Sequence, residues 1–195
     1  MIVCCATSNA GKLREFRLAG ERVGIEVEPL EGLREIQPPD ETGDTFEANA
    51  IEKALFYGAL TPHWLFVDDS GLEVDALGGA PGVYSARYAG ENASDAANNA
   101  LVLERLGDRT DRGAQFVCVI ALAHAGKVVE TFRGVVRGEI VDAPRGPNGF
   151  GYDPLFYYPP FGTTFGEAAL DAKMDVSHRA RALEAMFRFL RNQSV

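Results

Sequence analysis

The sequence is poor in the residues that mark secreted, membrane-spanning or zinc-binding proteins. Its three cysteines, Cys4, Cys5 and Cys118, are odd in number and stand in apolar runs, which favours reduced, buried thiols over a disulfide framework. The cysteines and histidines show no zinc spacing. No run approaches the ~18 to 20 apolar residues of a membrane span, and residues 1–12 lack the basic start and apolar core of a signal peptide. We therefore expect a soluble cytoplasmic protein with no membrane partner.

Positive charge is also scarce. Lysine and arginine number 19 against 28 acidic residues, giving a net charge of -9. A broad electrostatic surface for nucleic acid or an anionic membrane is therefore excluded. A small polyanion such as a nucleotide needs only a few converging cations and backbone N–H groups, helped by a divalent ion.

The apolar pattern predicts one mixed α/β domain over residues 1–195. With 46% hydrophobic residues, the chain is long enough to form a sizeable core. Helices and strands alternate early and strands cluster later, which favours a mixed sheet over an all-parallel one. Strands are predicted over residues 2–6, 25–30, 65–67, 114–123 and 128–132, with residues 135–141 as a candidate extension of the last. Helices are predicted from about Lys12 to Gly20, over residues 45–60 with Asp44 or Thr45 as cap, over 93–106, and through 180–190.

The acids Asp68 and Asp69 follow the short apolar run 64–67 directly. Buried carboxylates are costly unless they meet a metal, a hydrogen-bond donor or a cation. The alternative is a pair of plain strand-end acids that accept backbone N–H bonds at a turn. Ligand sites of open α/β sheets lie at the carboxyl ends of strands. Because adjacent strand residues point to opposite faces, we expect one acid to be catalytic and the other to support it.

The segment TSNAGK, residues 7–12, connects the first strand to a helix. A helix N-terminus offers unsatisfied N–H groups and partial positive charge to an anion, and Lys12 adds a full charge. It is not a Walker A loop, since the first glycine is missing and Leu13 follows the lysine. Ordinary capping by Ser8 or Asn9 is the alternative explanation.

Two segments near the C-terminus carry groups that suit a purine base. The loop GFGYDP, residues 149–154, places two aromatic side chains and an acid between glycines, which can stack on a base and bind its edge. Lys173 and the triplet 177–179 add donors, and His178 with Arg179 suits a keto oxygen. The alternatives are a loop anchored by Phe150 in the core and a histidine that caps a helix.

In combination these motifs closely resemble the inosine/xanthosine triphosphate pyrophosphatases. TSNAGK, DDSGLEVDALGGAPGVYSARYAG, GFGYDP and SHRARAL occur in the order and at the separations of that family, from residue 1 to about 190. The resemblance implies an elongated mixed β-sheet flanked by helices, with two lobes and the active-site cleft between them. It also implies a homodimer that uses Mg²⁺ to hydrolyse ITP, dITP and XTP to the monophosphate and pyrophosphate.

The resemblance also assigns roles to residues. It makes Asp69 the catalytic acid-base residue and a metal ligand, and it places Ser70 against the substrate. Lys53 is available for phosphate. The triphosphate is assigned to Thr7, Ser8, Asn9, Ala10, Gly11 and Lys12, and the base to Phe150, Gly151, Tyr152, Asp153, Lys173, His178 and Arg179.

The chain departs from the family pattern at two acidic positions. Asp40-Glu41 stands where the family has Glu-Glu, so either Asp40 through a bridging water or Glu41 takes the metal-ligand role. Ala48 replaces a family acid, and Glu47 is a poor substitute because it is rotated about 100° around the helix.

Two other functions stay open at this point. A Maf-type pyrophosphatase would act on modified pyrimidine or methylated nucleotides, but the SHR triplet and FGYDP favour the purine enzyme. A nucleotide-binding module without catalysis is supported only by the altered acids at positions 40 and 48.

Overall fold

The computed structural model describes residues 1–193, so the last two positions of the predicted domain 1–195 lie outside the described residues. The strands are β1 (Ile2–Cys5), β2 (Glu26–Pro29), β3 (Leu65–Val74), β4 (Gly113–His124), β5 (Lys127–Ile140), β6 (Phe156–Tyr158) and β7 (Thr163–Thr164). The α-helices are α1 (Ala10–Glu21), α2 (Phe46–Gly58), α3 (Asp95–Leu106), α4 (Leu170–Val176) and α5 (His178–Asn192). No helix within residues 1–193 is long and apolar enough to cross a membrane.

The strands form one mixed sheet. Its seven strands follow the order β2-β1-β3-β4-β5-β6-β7. Strand β1 runs parallel to β2 and to β3, whereas β6 is antiparallel to both β5 and β7. The predicted α/β class with a mixed sheet flanked by helices is confirmed.

Strand β3 is longer than the sequence predicted. The prediction ended it at residue 67, before the two acids, but it continues through both of them to Val74. Ser70-Gly71 is not a turn, because the following Leu72 and Val74 are fully buried in the core. Register with β1 pairs Cys5 with Phe66. The acids therefore follow the carboxyl end of β1 and lie inside β3, which corrects the prediction that they sit at the end of their own strand.

The chain divides into two compact units, of which the first comprises residues 1–69, 118–134 and those from 178 onward. Its core packs apolar side chains of β1, α1, β3 and α5, and Phe16 meets Phe66 edge-on at 5.0 Å between ring centroids. Cys5 and Cys118 are buried, reduced thiols, as predicted, while Cys4 is half-buried. Burial raises the pKa of Cys5 to about 12, so this thiol stays protonated at neutral pH.

The second unit comprises residues 70–117 and 135–177. Its core is built on aromatic side chains, among which the Phe116 and Phe156 ring centroids lie 4.4 Å apart. Tyr152 belongs to this core and is 5% exposed. Tyr152 therefore anchors the GFGYDP segment to this core.

Candidate active site

The segment after β1 forms a capped helix N-terminus in the first unit. Asn9 is the N-cap of α1, and its side-chain oxygen accepts a hydrogen bond from the Lys12 backbone N–H at 3.0 Å. Thr7 Oγ1 accepts from the Asn9 N–H at 3.2 Å. Ser8 and Asn9 are exposed, and Ala10 directly follows the cap. This geometry leaves N–H groups of the first helical turn for an anion.

Asp68 is buried between two cations. Its Oδ2 atom lies 2.8 Å from Lys12 Nζ and 3.7 Å from Arg179 Nε, and its side chain is 2% exposed. Burial alone would raise the pKa of Asp68, but Lys12 and Arg179 outweigh it and hold the pKa well below the usual range. Asp68 is therefore a permanently ionised group that neutralises Lys12 and Arg179.

Arg179 is held by a second buried acid that the sequence analysis did not single out. Its Nη1 atom donates to Glu15 Oε2 at 2.5 Å, and both side chains are almost fully buried. Burial opposes the charge on Arg179, but Glu15 and Asp68 raise its pKa. The available signal was helical spacing, since Glu15 lies three residues after Lys12 on one face of α1. These contacts place Arg179 beside Asp68, and its predicted role toward the base stays a prediction.

A glycine in β5 sets the position of α5. A Cβ atom on Gly134 would collide with the carbonyl oxygen of His178 and with the backbone nitrogen of Ala182. The absent side chain lets the first turn of α5 approach the strand closely. His178 begins α5 and is buried, so its location depends on this contact.

Asp69 faces different partners from those of Asp68. Its Oδ1 accepts from Lys53 Nζ at 3.0 Å and its Oδ2 accepts from Asn49 Nδ2 at 3.1 Å. Burial raises the pKa of Asp69; Lys53 opposes this shift and Glu41 adds to it. Adjacent aspartates thus have pKa values displaced in opposite directions. Ser70, the next residue of β3, is half-buried.

Lys53 connects Asp69 to the acidic loop before α2. Besides Asp69, its Nζ donates to Glu41 Oε1 at 2.9 Å and to the Asp68 carbonyl oxygen at 2.9 Å. Burial lowers the pKa of Lys53, but Asp69 and Glu41 outweigh this and raise it. In this structure Lys53 therefore neutralises carboxylates, and its predicted contact with phosphate stays a prediction.

Asn49 is a second link that the sequence analysis did not identify as functional. It is fully buried, and while its Nδ2 reaches Asp69, its Oδ1 accepts from the Gly43 N–H at 2.8 Å. Thr42 is held in turn by the Glu52 carboxylate. The loop that carries Glu41 is thereby fixed against α2.

The carboxylates of Glu41 and Asp69 form a donor set that suits Mg²⁺. They converge on one ammonium group, whereas Asp40 is exposed. Within residues 1–193 no group of three or more His, Cys, Asp or Glu side chains is placed to hold a metal ion. Mg²⁺ nevertheless commonly binds through one or two carboxylates and the phosphates of its substrate. Glu47 accepts a hydrogen bond from Thr131 Oγ1 at 2.8 Å, which directs it elsewhere.

In the second unit, Asp153 organises the GFGYDP loop. Its Oδ2 accepts from the Phe150 N–H at 2.9 Å and from Lys173 Nζ at 2.6 Å. Lys173 is buried and lies over the Phe150 ring at 4.9 Å from its centroid. Phe150, Asp153 and Lys173 are thus brought together, whereas His178 and Arg179 belong to the first unit.

Tyr152 fixes the same loop to a backbone carbonyl. Its hydroxyl donates to the Ser85 carbonyl oxygen at 2.7 Å, and burial raises the pKa of the phenol, which therefore stays protonated. Ser85 itself accepts from the Leu72 N–H and donates to the Gly82 carbonyl.

Tyr152→Phe is expected to lower the free energy of unfolding by about 1 to 2 kcal/mol, because the buried Ser85 carbonyl loses its hydroxyl donor. Urea unfolding monitored by circular dichroism measures the change. Tyr84→Phe is the matched control, since Tyr84 is 57% exposed, and it should unfold like wild type. Equal stability of all three proteins would contradict the anchoring role of Tyr152.

Comparisons with known proteins agree on one family. A model of the Ham1 family matches residues 3–189. A protein of Syntrophobacter fumaroxidans named dITP/XTP pyrophosphatase is 50% identical over 182 residues, covering 93% of this chain and 78% of that protein. One of an Exiguobacterium species, with the same name, is 49% identical over 95% of both chains. The solved structure of the Staphylococcus aureus Ham1 protein superposes with a TM-score of 0.87 at 42% identity, covering 99% of this chain and 100% of that one.

Proposed function

The chain belongs to the Ham1 family, and from that premise we propose that it hydrolyses non-standard purine nucleoside triphosphates. The substrates would be XTP, ITP and dITP, and the products the nucleoside monophosphate and pyrophosphate. The relatives named dITP/XTP pyrophosphatase support this proposal through identities near 50% over almost the whole chain. The observation that carries the chemistry is the different surroundings of two adjacent acids, since Asp68 meets Lys12 and Arg179 whereas Asp69 meets only Lys53 and the Asn49 amide among the contacts described above.

Asp69 is proposed as the general base. A general base works best when its pKa is raised toward the operating pH, and burial does this for Asp69. Asp69 would take a proton from a water whose oxygen attacks the α-phosphorus. A new P–O bond then forms, the bond to the bridging oxygen of the β-phosphate breaks, and pyrophosphate leaves with the electron pair. Lys53 and Asn49 hold the carboxylate in place during this step.

The triphosphate is proposed to bind at the start of α1. The segment 7–12 supplies backbone N–H groups and the ammonium of Lys12, which is 19% exposed. Phosphate at a helix N-terminus is stabilised by these groups and by the helix dipole. Lys53 is proposed as a further phosphate contact, and Ser70 as a neighbour of the substrate.

Asp69 and Glu41 are proposed to hold Mg²⁺ when the nucleotide binds. Bound Mg²⁺ offsets the charge that develops on the phosphate oxygens. Lys53 keeps the two carboxylates close together at 2.9 and 3.0 Å from one ammonium group. Of the two acids that the sequence left open, Glu41 is favoured by this contact, while Asp40 would act through a bridging water.

Base selection is proposed to depend on donors for the purine O6, either Arg179 or a backbone N–H. Adenine carries a 6-amino donor in place of the keto oxygen, so it would leave such donors unpaired and be rejected. The loop 150–153 with Lys173 would form the rest of the base site, and His178 would complete it. A single domain over residues 1–195 and a cytoplasmic location stay predictions from length and composition, and a homodimer stays a prediction of the resemblance.

We expect pyrophosphate release from XTP, ITP and dITP with Mg²⁺, slow release from GTP and ATP, and no release with EDTA. Enzymatic measurement of pyrophosphate across the five nucleotides tests this directly. Equal turnover of ATP and ITP would contradict the donor argument. Measurable ITP binding without turnover would indicate a binding module, and turnover confined to modified pyrimidine nucleotides would indicate a Maf-type enzyme.

A further inference from the structure

Two side chains of helix α3 hydrogen-bond to the backbone N–H and carbonyl of one residue of the GFGYDP loop. The Gly151 N–H donates to Asp95 Oδ2 at 2.7 Å, and the Gly151 carbonyl accepts from Asn99 Nδ2 at 2.8 Å. Asp95 and Asn99 are four residues apart on α3, so their side chains share one helix face. Asn99 Nδ2 also donates to the Asp95 carbonyl at 2.7 Å. Neither residue belongs to the sites assigned above.

The geometry of this contact is demanding. Gly151 has a φ of +60°, a conformation that side chains other than glycine rarely adopt. Asn99 is 5% exposed, and its two donor contacts to carbonyl oxygens fix the orientation of the amide. Within residues 1–193 the Asn99 Oδ1 atom is buried without a hydrogen-bond partner. A buried unsatisfied acceptor is unfavourable for stability, so stability alone does not explain this amide.

We propose that Asp95 and Asn99 are positioning residues that hold Gly151 in the conformation in which its neighbours bind the purine base. Phe150 directly precedes Gly151, Asp153 follows it by two residues, and the Phe150 N–H is itself bonded to Asp153. Fixing the Gly151 peptide therefore restrains both of these residues of the base site. This inference rests on the proposed function, because the loop 150–153 is assigned to the base only there.

The contacts of Asp95 and Asn99 with Gly151, here called the clamp, should act on substrate affinity and not on the chemical step, because they hold the loop assigned to the base and include none of Asp69, Lys53 and Asn49. Asp95→Ala and Asn99→Ala should each raise KM for XTP by about 5- to 50-fold, the range for losing a hydrogen bond to a charged acceptor in the first case and to a buried side chain in the second. The kcat should stay within about 3-fold of wild type, since loss of uniform binding raises KM alone. Asp95→Asn keeps an oxygen acceptor for the Gly151 N–H and should restore most of the KM.

Asn98 provides a matched control. It lies next to Asn99 on α3, is 3% exposed, and also bonds backbone groups through its amide. Its partners are Ala89 and Ala86, however, and not the GFGYDP loop. Asn98→Ala should therefore lose stability like Asn99→Ala without the same rise in KM. All variants are assayed below the onset of their thermal unfolding. Because Asp95 is exposed, Asp95→Ala is expected to fold even if Asn99→Ala does not.

Hydrogen exchange measured by mass spectrometry gives a readout that does not need catalysis. Peptides that cover residues 149–153 should exchange at least about 10-fold faster in Asp95→Ala than in wild type. In Asn98→Ala the exchange rate of these peptides should equal that of wild type. The inference is wrong if exchange in the loop is unaffected, if kcat falls while KM is constant, or if Asn98→Ala raises KM equally. If wild type did not turn over XTP but loop exchange were still faster in the variants, the proposed function would be overturned. The role of Asp95 and Asn99 in holding the loop would still be supported.

Discussion

Asp69→Asn is expected to lower kcat by a factor on the order of 10² to 10⁴, the usual contribution of a general base. An asparagine amide accepts hydrogen bonds but takes no proton from water. The single amide oxygen of asparagine accepts from Lys53 or from Asn49 but not from both, so one of the two carboxylate contacts is lost, and Lys53 keeps Glu41 as a carboxylate partner. Pyrophosphate release from XTP at saturating substrate measures the change.

The same substitution should lower the free energy of unfolding by less than Asp68→Asn does. Burial raises the pKa of Asp69 and so destabilises its ionised form, and Lys53 keeps Glu41 as a partner when the Asp69 charge is removed. Glu47→Gln is the control, because Glu47 is a carboxylate of α2 that bonds Thr131, and its kcat should be unchanged. Near-normal turnover in Asp69→Asn would overturn the assignment of the base.

Asp68→Asn is expected to act mainly on stability and to lower the free energy of unfolding by about 3 kcal/mol. Its carboxylate is buried against Lys12 and Arg179, and removing one partner of a buried ion pair leaves uncompensated charge. The magnitude is set at the lower end of the range for such changes because Lys12 is 19% exposed. Arg179 keeps Glu15 as its other partner. Urea or guanidinium unfolding at neutral pH measures the difference.

Asp142→Asn is the matched control for this stability measurement. Asp142 pairs with Arg112 at 3.3 Å, but its side chain is 89% exposed. Exposed ion pairs contribute little to stability because water and salt screen them. Wild-type stability is therefore expected for Asp142→Asn. If the substitutions at positions 68 and 142 were equally mild, the buried network would not be a stabilising element.

These two predictions assign opposite consequences to neighbouring aspartates of one strand. The sequence supplies the reason for a difference, since adjacent strand residues face opposite sides. It does not say which acid meets two cations and which meets one lysine shared with Glu41. That assignment depends on Arg179, which contacts Glu15 across 164 positions of the chain.

Local features were accessible from the sequence because their physical causes lie within a few residues. Asn9 as a cap of α1 depends on a side-chain bond to the N–H three residues later. Likewise Thr45 caps α2 through the Ala48 N–H, which decides between the two predicted caps. The turn Ala125-Gly126 between β4 and β5 has positive φ at both residues, as a two-residue type I′ turn requires.

The sequence by itself determined the α/β class and the family, and it indicated the segments to which the chemistry is assigned. Only the tertiary structure decided how far β3 extends, because burial of Leu72 and neighbouring strands overrides the apparent turn at Ser70-Gly71. It likewise decided that Asn49 links Asp69 to the acidic loop and that Asn99 holds Gly151. The physical reason is that buried polar groups need partners, and the fold brings those partners from positions 6 to 164 residues apart.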